Sequence, residues 1–212
     1  QDNDAPATAV RPFCRTAAGA VVGEGGGIVV LEAMETFQKR VAAGNGEGAR
    51  VYGELVGFGA SQTIHRTKRN LEPDPEGRGI AVAIRRALGE AAVDPRQIDL
   101  IIPNGLGVAR SDQAEAVALR DVFGSHLGTV PIVSVKSLVG NCCAGAGTID
   151  VCVAARALFE QTIPAIVNCE DPLPDLAAAT APCRPAELTH ALVYSAGFGG
   201  QNAALVLKRF DL

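Results

Sequence analysis

The fold of this chain depends most on the stretch VPIVSVKSLVGNCCAGAGTIDVCVAARAL, from Val130 to Leu158. It begins with a short β-rich run at 131–135, passes through a turn of small residues and enters a segment of helical length. From 144 to 158 nearly every side chain is small or apolar. A helix that is apolar on every side is a buried helix, and about fifteen residues are too few to cross a bilayer. The sequence therefore predicts a strand, a turn and a central helix packed inside protein.

Composition limits the classes of protein to which the chain can belong. Its 212 residues are 48% hydrophobic, which is enough for one globular domain with a core of its own. The formal net charge is −4 and no basic run is present, so we expect neither a nucleic-acid partner nor a membrane partner. Residues 1–13 lack the basic and apolar regions of a signal peptide.

The six cysteines show no metal-binding spacing, and two of them are adjacent, which argues against a disulfide framework. Reduced thiols are typical of cytoplasmic proteins. We therefore predict a cytoplasmic protein without a metal site and without a cofactor.

Apolar patterns on both sides of the central stretch predict alternating helices and strands. Ile80, Ile84, Leu88 and Ala91, for example, recur at the spacing of one helical face. A polar loop is expected at 62–76, and a proline-rich loop is expected after the central helix. This alternation, ending in a hairpin, favours an α/β layer with a mixed sheet. The predicted helices are 33–43, 77–92 and 112–123, with Ser111 or Asp112 as a candidate N-cap, and the predicted strands are 28–32, 49–61, 99–103, 190–196 and 202–210.

Two glycine patterns need separate interpretations. The run at 23–27 precedes a strand-like segment, whereas a phosphate-binding loop follows a strand and opens a helix, so we do not predict a nucleotide site. The glycines inside the strand predicted at 49–61 indicate that another backbone approaches closely there.

Four motifs occur in the order and at the spacing of one known family. They are GEGGGIVVLE, the Asn104 loop with Asp112 and Glu115, VKSLVGN, and SAGFGGQNAALVL. From about Arg11 to Lys208 the chain resembles the C-terminal half of the β-ketoacyl synthases of the thiolase-like superfamily. The resemblance implies an α/β fold, with a mixed five-stranded sheet, helices on both faces and a second half that completes the layered domain.

Condensing members of this family use a cysteine nucleophile in the N-terminal half and two histidines in the C-terminal half. At the first histidine position this sequence has Asn104, followed by Gly105 and Leu106, and at the second it has Asn141 after Lys-Ser-Leu-Val-Gly. The imidazoles of the family stabilise the enolate left when a malonyl group loses carbon dioxide, and they help to activate the cysteine. An asparagine donates hydrogen bonds but carries no proton near neutral pH. The resemblance thus implies a degenerate site that does not condense, although residual decarboxylation is conceivable.

Cys142 and Cys143 stand just before the central helix and are the cysteines best placed to replace the missing nucleophile. They lie on the side of the second imidazole position, however, and small buried cysteines are common. We favour a structural role for both.

Other family positions are implied by the same resemblance. Lys136 and Asp150 correspond to a buried ion pair beneath the active site, although Lys136 alone could be a solvated turn residue. Asp112 and Glu115 correspond to carboxylates that hold the first-histidine loop, although alone they could be an exposed acidic face. The turn Gly197-Phe198-Gly199-Gly200 resembles a gating loop whose phenylalanine moves to admit the acyl chain, and the alternative is a simple glycine hairpin.

The family's catalytic unit has two similar halves, packed through central helices. By resemblance, residues 1–20 are a linker from the preceding half and residues 21–212 form the ketosynthase C-terminal-like domain. The central helix then needs a cover, because soluble monomers avoid large apolar patches. We expect a hetero-oligomer with an N-terminal half or a full ketosynthase chain, and we leave open a self-dimer and an acyl carrier protein as a further partner.

Three hypotheses about function follow. The first is a non-condensing, chain-length-factor-like subunit of fatty-acid or polyketide biosynthesis. The second is the C-terminal piece of an atypical active β-ketoacyl-carrier-protein synthase, an acyltransferase that uses asparagine in place of both histidines. The third is a structural or interaction module without an acyl ligand.

Overall fold

The computed structural model describes residues 4–45, 50–63, 65–66, 71–72 and 74–211. The helices and strands alternate as the sequence patterns predict. The α-helices are α1 (Met34–Arg40), α2 (Arg78–Ala91), α3 (Ala109–Phe123), α4 (Lys136–Val139) and α5 (Ala146–Glu160). The strands are β1 (Glu54–Gln62), β2 (His65–Arg66), β3 (Leu71–Glu72), β4 (Leu100–Ile102), β5 (Thr162–Ile163), β6 (Arg184–Pro185), β7 (His190–Ala196) and β8 (Gln201–Lys208). Among the described residues no helix is long and apolar enough to cross a membrane.

The main sheet has the strand order β1-β8-β7-β4. Strands β1 and β7 run antiparallel to β8, whereas β4 runs parallel to β7, so the predicted mixed sheet and its terminal hairpin are confirmed. The short strands β2 and β3 pair within the loop predicted at 62–76.

The prediction of a fifth full strand at 131–135 is wrong. This segment makes a single parallel bridge to the sheet, in which the Val133 amide donates to the Ile101 carbonyl at 2.9 Å. On its other side the Ile132 amide donates to the Ala177 carbonyl of the proline-rich loop at 3.0 Å. Pairing stops there because β4 is only three residues long and Ser134 already bonds to the Asn104 loop.

Side chains alternate between two cores because neighbouring strand residues point to opposite faces of a sheet. In β4, Ile101 faces a core formed with α2 and α3, whereas Leu100 and Ile102 face a second core formed with α5. The predicted placement of helices on both faces of the sheet is therefore confirmed.

The glycines of β1 explain how closely α2 lies on the sheet. A Cβ at Gly57 would collide with the Ala87 carbonyl, and a Cβ at Gly59 would collide with the Ala83 carbonyl. The predicted close approach of a second backbone is confirmed, and that backbone belongs to α2.

Several predicted boundaries needed correction. Helix α3 begins three residues earlier than predicted, and neither Ser111 nor Asp112 caps it, because Val108 occupies the N-cap and both predicted caps are buried. Helix α1 is shorter than predicted and continues as a π-helical turn at Val41–Asn45. The segment 28–32 is not a strand, because no strand among the described residues pairs with it.

The first twenty residues are packed on the domain where the structure describes them. Val10, Phe13 and Cys14 are buried, and the latter two belong to the core formed with α2 and α3. A detached linker would not be buried in this way, and the division of the chain at residue 20 stays a prediction.

Helix α5 is only partly covered by this chain. Ala154 and Leu158 are fully buried, Ile149 and Val153 are half-buried, and Phe159 is exposed. The prediction of a helix buried on every side is therefore not met by the residues of this chain alone.

Candidate active site

Asn104 lies in the loop that follows the carboxyl end of β4, and it is buried. The next amide, that of Gly105, donates to both carboxylate oxygens of Glu115, at 3.1 and 3.0 Å. The Ser134 hydroxyl donates to the Gly105 carbonyl at 2.8 Å. Gly105 has a φ of 43°, and a Cβ there would lie 2.9 Å from the Phe13 ring. The loop is thus fixed from both sides.

Asp112 and Glu115 lie on the buried face of α3, so the alternative of an exposed acidic face is wrong. Asp112 accepts a hydrogen bond from the Phe13 amide at 2.8 Å. Burial and, after it, the neighbouring Glu115 charge raise the pKa of Asp112 to about 8. Burial also raises the pKa of Glu115, against the opposing effect of its hydrogen bonds. Glu115 thus holds the Asn104 loop and Asp112 holds Phe13 beside it, while the family role that the resemblance implies for the two carboxyl groups stays a prediction.

Tyr194 completes this support and was not predicted. Its hydroxyl donates to Glu115 Oε2 at 2.9 Å from the fully buried interior of β7. The sequence did contain a signal, because a tyrosine in a buried aliphatic strand needs a partner for its hydroxyl.

Lys136 and Asp150 form a buried ion pair, so the alternative of a solvated lysine is wrong. The Lys136 ammonium also donates to the Pro103 carbonyl at 3.3 Å, directly before Asn104. Burial raises the pKa of Asp150, and the charge of Lys136 opposes that shift. The pair joins the start of α4 to the middle of α5, underneath the Asn104 loop.

Asn141 lies before α5, and its side chain is used for local structure. Its Oδ1 accepts a hydrogen bond from the Cys143 amide at 3.0 Å. Its backbone is also held, because its amide donates to the Val21 carbonyl at 2.7 Å. Cys142 is buried and Cys143 is exposed. Asn141 therefore shapes the turn into α5.

A small cavity of about 30 Å³, open to solvent, lies between the Asn104 loop, the start of α3 and the turn Gly197–Gly200. Asn104, Glu115 and Phe198 are among the residues that line it, whereas Lys136 and Asn141 are not. Phe198 is 66% exposed at the tip of the turn, and Asn202 holds the turn through the Gly200 carbonyl at 2.9 Å. The structure thus brings the first-histidine position and the predicted gating turn to one cavity. In the described ranges no three side chains of the metal-binding types are grouped to hold an ion.

Comparisons with known proteins agree with this geometry. The family profile described as "Beta-ketoacyl synthase, C-terminal domain" matches residues 52–170. The 3-oxoacyl-[acyl-carrier-protein] synthase 2 of Coxiella burnetii is 33% identical over 212 residues, which are 99% of this chain and 49% of that protein. The chain thus spans about half the length of this curated relative.

Two solved structures show the same fold. A type II polyketide-synthase acyl-carrier protein in complex with its ketosynthase, AntDE:AntF, matches with a TM-score of 0.85 and 27% identity, over 100% of this chain and 49% of that one. The ishigamide ketosynthase/chain length factor matches with a TM-score of 0.81 and 31% identity, over 95% of this chain and 47% of that one. These matches confirm the thiolase-like ketosynthase fold. Because the profile covers more than half of its residues, this chain belongs to the family of β-ketoacyl synthase C-terminal domains.

Proposed function

We propose that this chain is the C-terminal half of a ketosynthase-like subunit of fatty-acid or polyketide biosynthesis. In this proposal the subunit does not condense acyl chains itself and works with another ketosynthase chain, as a chain length factor does. The observation that carries the proposal is that both imidazole positions of the family hold asparagines, Asn104 and Asn141, whose amides neither take up nor release a proton near neutral pH.

An asparagine can offer a reacting thioester a hydrogen bond but no proton. The Asn141 Oδ1 accepts from the Cys143 amide, which ties this side chain into the turn before α5, and neither amide can carry a proton at neutral pH. Oxyanion stabilisation requires donors that are aimed at the developing charge before the reaction begins. The chain therefore keeps the scaffold of the site while lacking its proton-carrying groups.

A partner is part of the proposal because one surface of the chain is apolar and uncovered. Ile28 is 92% exposed and Val30 is 88% exposed, and Cys152 and Phe159 on the outer side of α5 are exposed as well. Burying apolar surface contributes about 25 cal/mol per Å², so this surface favours association with another polypeptide. The relative whose structure is a ketosynthase/chain length factor supports a ketosynthase chain or its N-terminal half as that partner.

We place the acyl chain next to the turn Gly197–Gly200. Phe198 is exposed and lines the cavity beside the Asn104 loop, so a movement of its ring would change access to it. The structure in which an acyl-carrier protein is bound to a ketosynthase supports a carrier protein as a further partner. A cytoplasmic location stays a prediction from the sequence.

The test uses the chain purified with its ketosynthase partner, supplied with malonyl-carrier protein. Carbon dioxide release and the length of the product are measured for Asn104→Ala, Asn141→Ala and Phe198→Ala. We expect the two asparagine variants to keep condensation within about threefold, because a non-catalytic amide contributes little to the transition state. Phe198→Ala should change the distribution of product lengths.

Arg96→Ala, which changes an exposed residue outside the cavity, is the matched control. A loss of about 100-fold in either asparagine variant would instead identify an oxyanion donor and support the atypical active synthase. If all variants behave alike and no acyl group is found on the complex, the structural module is the better hypothesis.

A further inference from the structure

A second cavity, of about 280 Å³, lies at the C-terminal end of α5. Its walls come from α1, from the segment 50–52 before β1, from the last residues of α5 and from the two residues that follow β8. None of the residues that line it lines the cavity beside the Asn104 loop. Asn141 lies before the opposite end of α5, and a helix of this length spans about 22 Å. The second cavity is therefore separate from the candidate active site.

Four aromatic side chains line this cavity in two pairs. The rings of Phe37 and Phe210 meet edge to face with their centres 6.0 Å apart. The rings of Tyr52 and Phe159 are inclined at 52° with their centres 5.0 Å apart, and each of these side chains is about two-fifths exposed. Edge-to-face and offset arrangements are the favourable ones for aromatic pairs. Each ring is thus held by its neighbour while part of its surface stays open to a ligand.

The volume of the cavity limits the size of that ligand. An engineered apolar cavity of about 150 Å³ in another protein binds benzene. At about 280 Å³, this cavity has room for two fused rings. It is smaller than most sites for larger organic ligands, which begin at about 300 Å³.

Two arginines give the cavity a positive lining. Arg50 and Arg209 both line it, and none of the described residues that line it is acidic. Arg209 is fixed from outside the cavity, because its Nη1 donates to Gln161 Oε1 at 3.1 Å and its Nε donates to Asp211 Oδ1 at 2.7 Å. Gln161 is itself held by the Leu188 amide at 3.0 Å.

The geometry of Arg209 leaves donors for a ligand. Its two printed bonds use two of the five N–H groups of a guanidinium, and the planar fork of this group matches a carboxylate. Asp211 offsets part of the Arg209 charge, but Arg50 adds a second positive charge to the lining. The cavity thus combines aromatic walls with an excess of positive charge.

We propose that this cavity is a binding site for a small aromatic carboxylate with one or two fused rings. The rings of the ligand pack between the two aromatic pairs, and its carboxylate accepts hydrogen bonds from Arg209. Arg50 contributes attraction to the negative charge. An aliphatic acyl chain of similar volume lacks a flat ring face, and an uncharged ring makes no charged contact with either arginine. The inference does not depend on the proposed function, because it concerns a cavity formed within this chain.

The test measures binding of 2-naphthoate to the complete purified protein by titration calorimetry. We expect one site with a dissociation constant of about 0.1 mM, which is typical of a ligand of this size. Octanoate, an aliphatic carboxylate, and 2-naphthol, which is uncharged near neutral pH, should each bind about tenfold more weakly. If octanoate binds as tightly as 2-naphthoate, the site takes acyl chains and the proposal is wrong. Equal binding of 2-naphthol, or no saturable binding of 2-naphthoate, would also contradict it.

Variants then locate the bound ligand. Arg209→Met should weaken 2-naphthoate binding about tenfold, because it removes the fork that holds the carboxylate. The matched control is Arg85→Met, since Arg85 is an exposed arginine that is paired with Asp121 and does not line the cavity. Phe198→Ala, in the cavity beside the Asn104 loop, should also leave the affinity unchanged. Unchanged affinity in Arg209→Met, or a loss in Phe198→Ala, would overturn the assignment. The comparison of the three ligands gives an answer even if a variant does not fold.

Discussion

Two faces of this molecule differ in how much of their surface this chain itself covers. The closed face consists of the main sheet with α2 and α3, and it includes the buried groups Lys136, Asp150, Asp112 and Glu115. The open face consists of residues 21–32 and the outer side of α5, and many of its apolar side chains are exposed. The closed face gives each buried charged group at least one partner within this chain, with one oxygen each of Asp112 and Asp150 left without a hydrogen bond among the described residues, whereas the open face leaves its apolar surface in solvent.

The difference shows that this chain supplies partners for its buried charges but does not cover all of its apolar surface. A buried charge without a partner costs several kcal/mol, so a chain that buries four ionisable groups must also supply their partners. Exposed apolar side chains cost much less, and they can be covered later by another polypeptide. Paired substitutions on the two faces test this difference.

The largest effect is expected at the buried ion pair of the closed face. Lys136→Ala leaves the Asp150 carboxylate without its counter-charge inside the protein, and we expect the free energy of unfolding to fall by about 3–5 kcal/mol. The double variant Lys136→Met/Asp150→Leu removes both charges and should recover most of that loss. Urea unfolding measures both values. A loss below about 1 kcal/mol for Lys136→Ala would mean that water reaches the pair.

Adjacent residues of α5 test the boundary between the two faces. Leu158 is fully buried against the sheet, so Leu158→Ala should cost about 2–5 kcal/mol. Phe159 is exposed and contacts mainly the Tyr52 ring, with ring centres 5.0 Å apart, so Phe159→Ala should cost less than about 1.5 kcal/mol. Thermal unfolding of both variants compares them, and equal losses would contradict the contrast.

A pH titration tests the carboxyl pair of the closed face. The folded-state pKa of Asp112, about 8, lies above the 3.8 of a free carboxyl, so the folded protein keeps a proton that the unfolded chain has lost. This contribution to stability is complete below about pH 4 and is lost as the pH rises to about 8 and above. Unfolding midpoints should therefore fall between pH 5 and pH 9, and Asp112→Asn should flatten this slope. A slope that is unchanged in the variant would contradict the assignment.

The smallest effect on stability is expected on the open face. Val30 is 88% exposed, so Val30→Ser should change the free energy of unfolding of this chain by less than about 0.5 kcal/mol. The same substitution should weaken association with the ketosynthase partner by about tenfold, which is about 1.4 kcal/mol. Titration calorimetry measures the association, and Arg96→Ala is the control. Unchanged affinity would place the partner elsewhere.

Sequence reasoning succeeded where one local pattern dominates. The spacing of Ile80, Ile84 and Leu88 gave α2, and the glycines of β1 indicated the close approach of its backbone. It also placed the terminal hairpin. In these segments the periodicity and the turn residues agree, and little else is needed.

It failed where the answer depended on residues distant along the chain. Asp112 was a candidate N-cap by its position, yet it turns inward and accepts from Phe13, 99 residues away. Tyr194 was missed because its role depends on Glu115, which lies on another element. The segment 131–135 has the composition of a strand, but it makes only two isolated bridges among the described residues, one to β4 and one to the proline-rich loop.

Periodicity and residue identity are local properties, so the alternation of helices and strands, the family, and the asparagines at 104 and 141 could be predicted from the sequence. Three findings needed the folded chain: the Gly105 amide is bonded to Glu115, the Tyr194 hydroxyl is bonded to the same carboxylate, and α5 is covered on one side. The physical reason is that burial and hydrogen-bond partners come from contacts between distant residues, which a linear pattern does not contain.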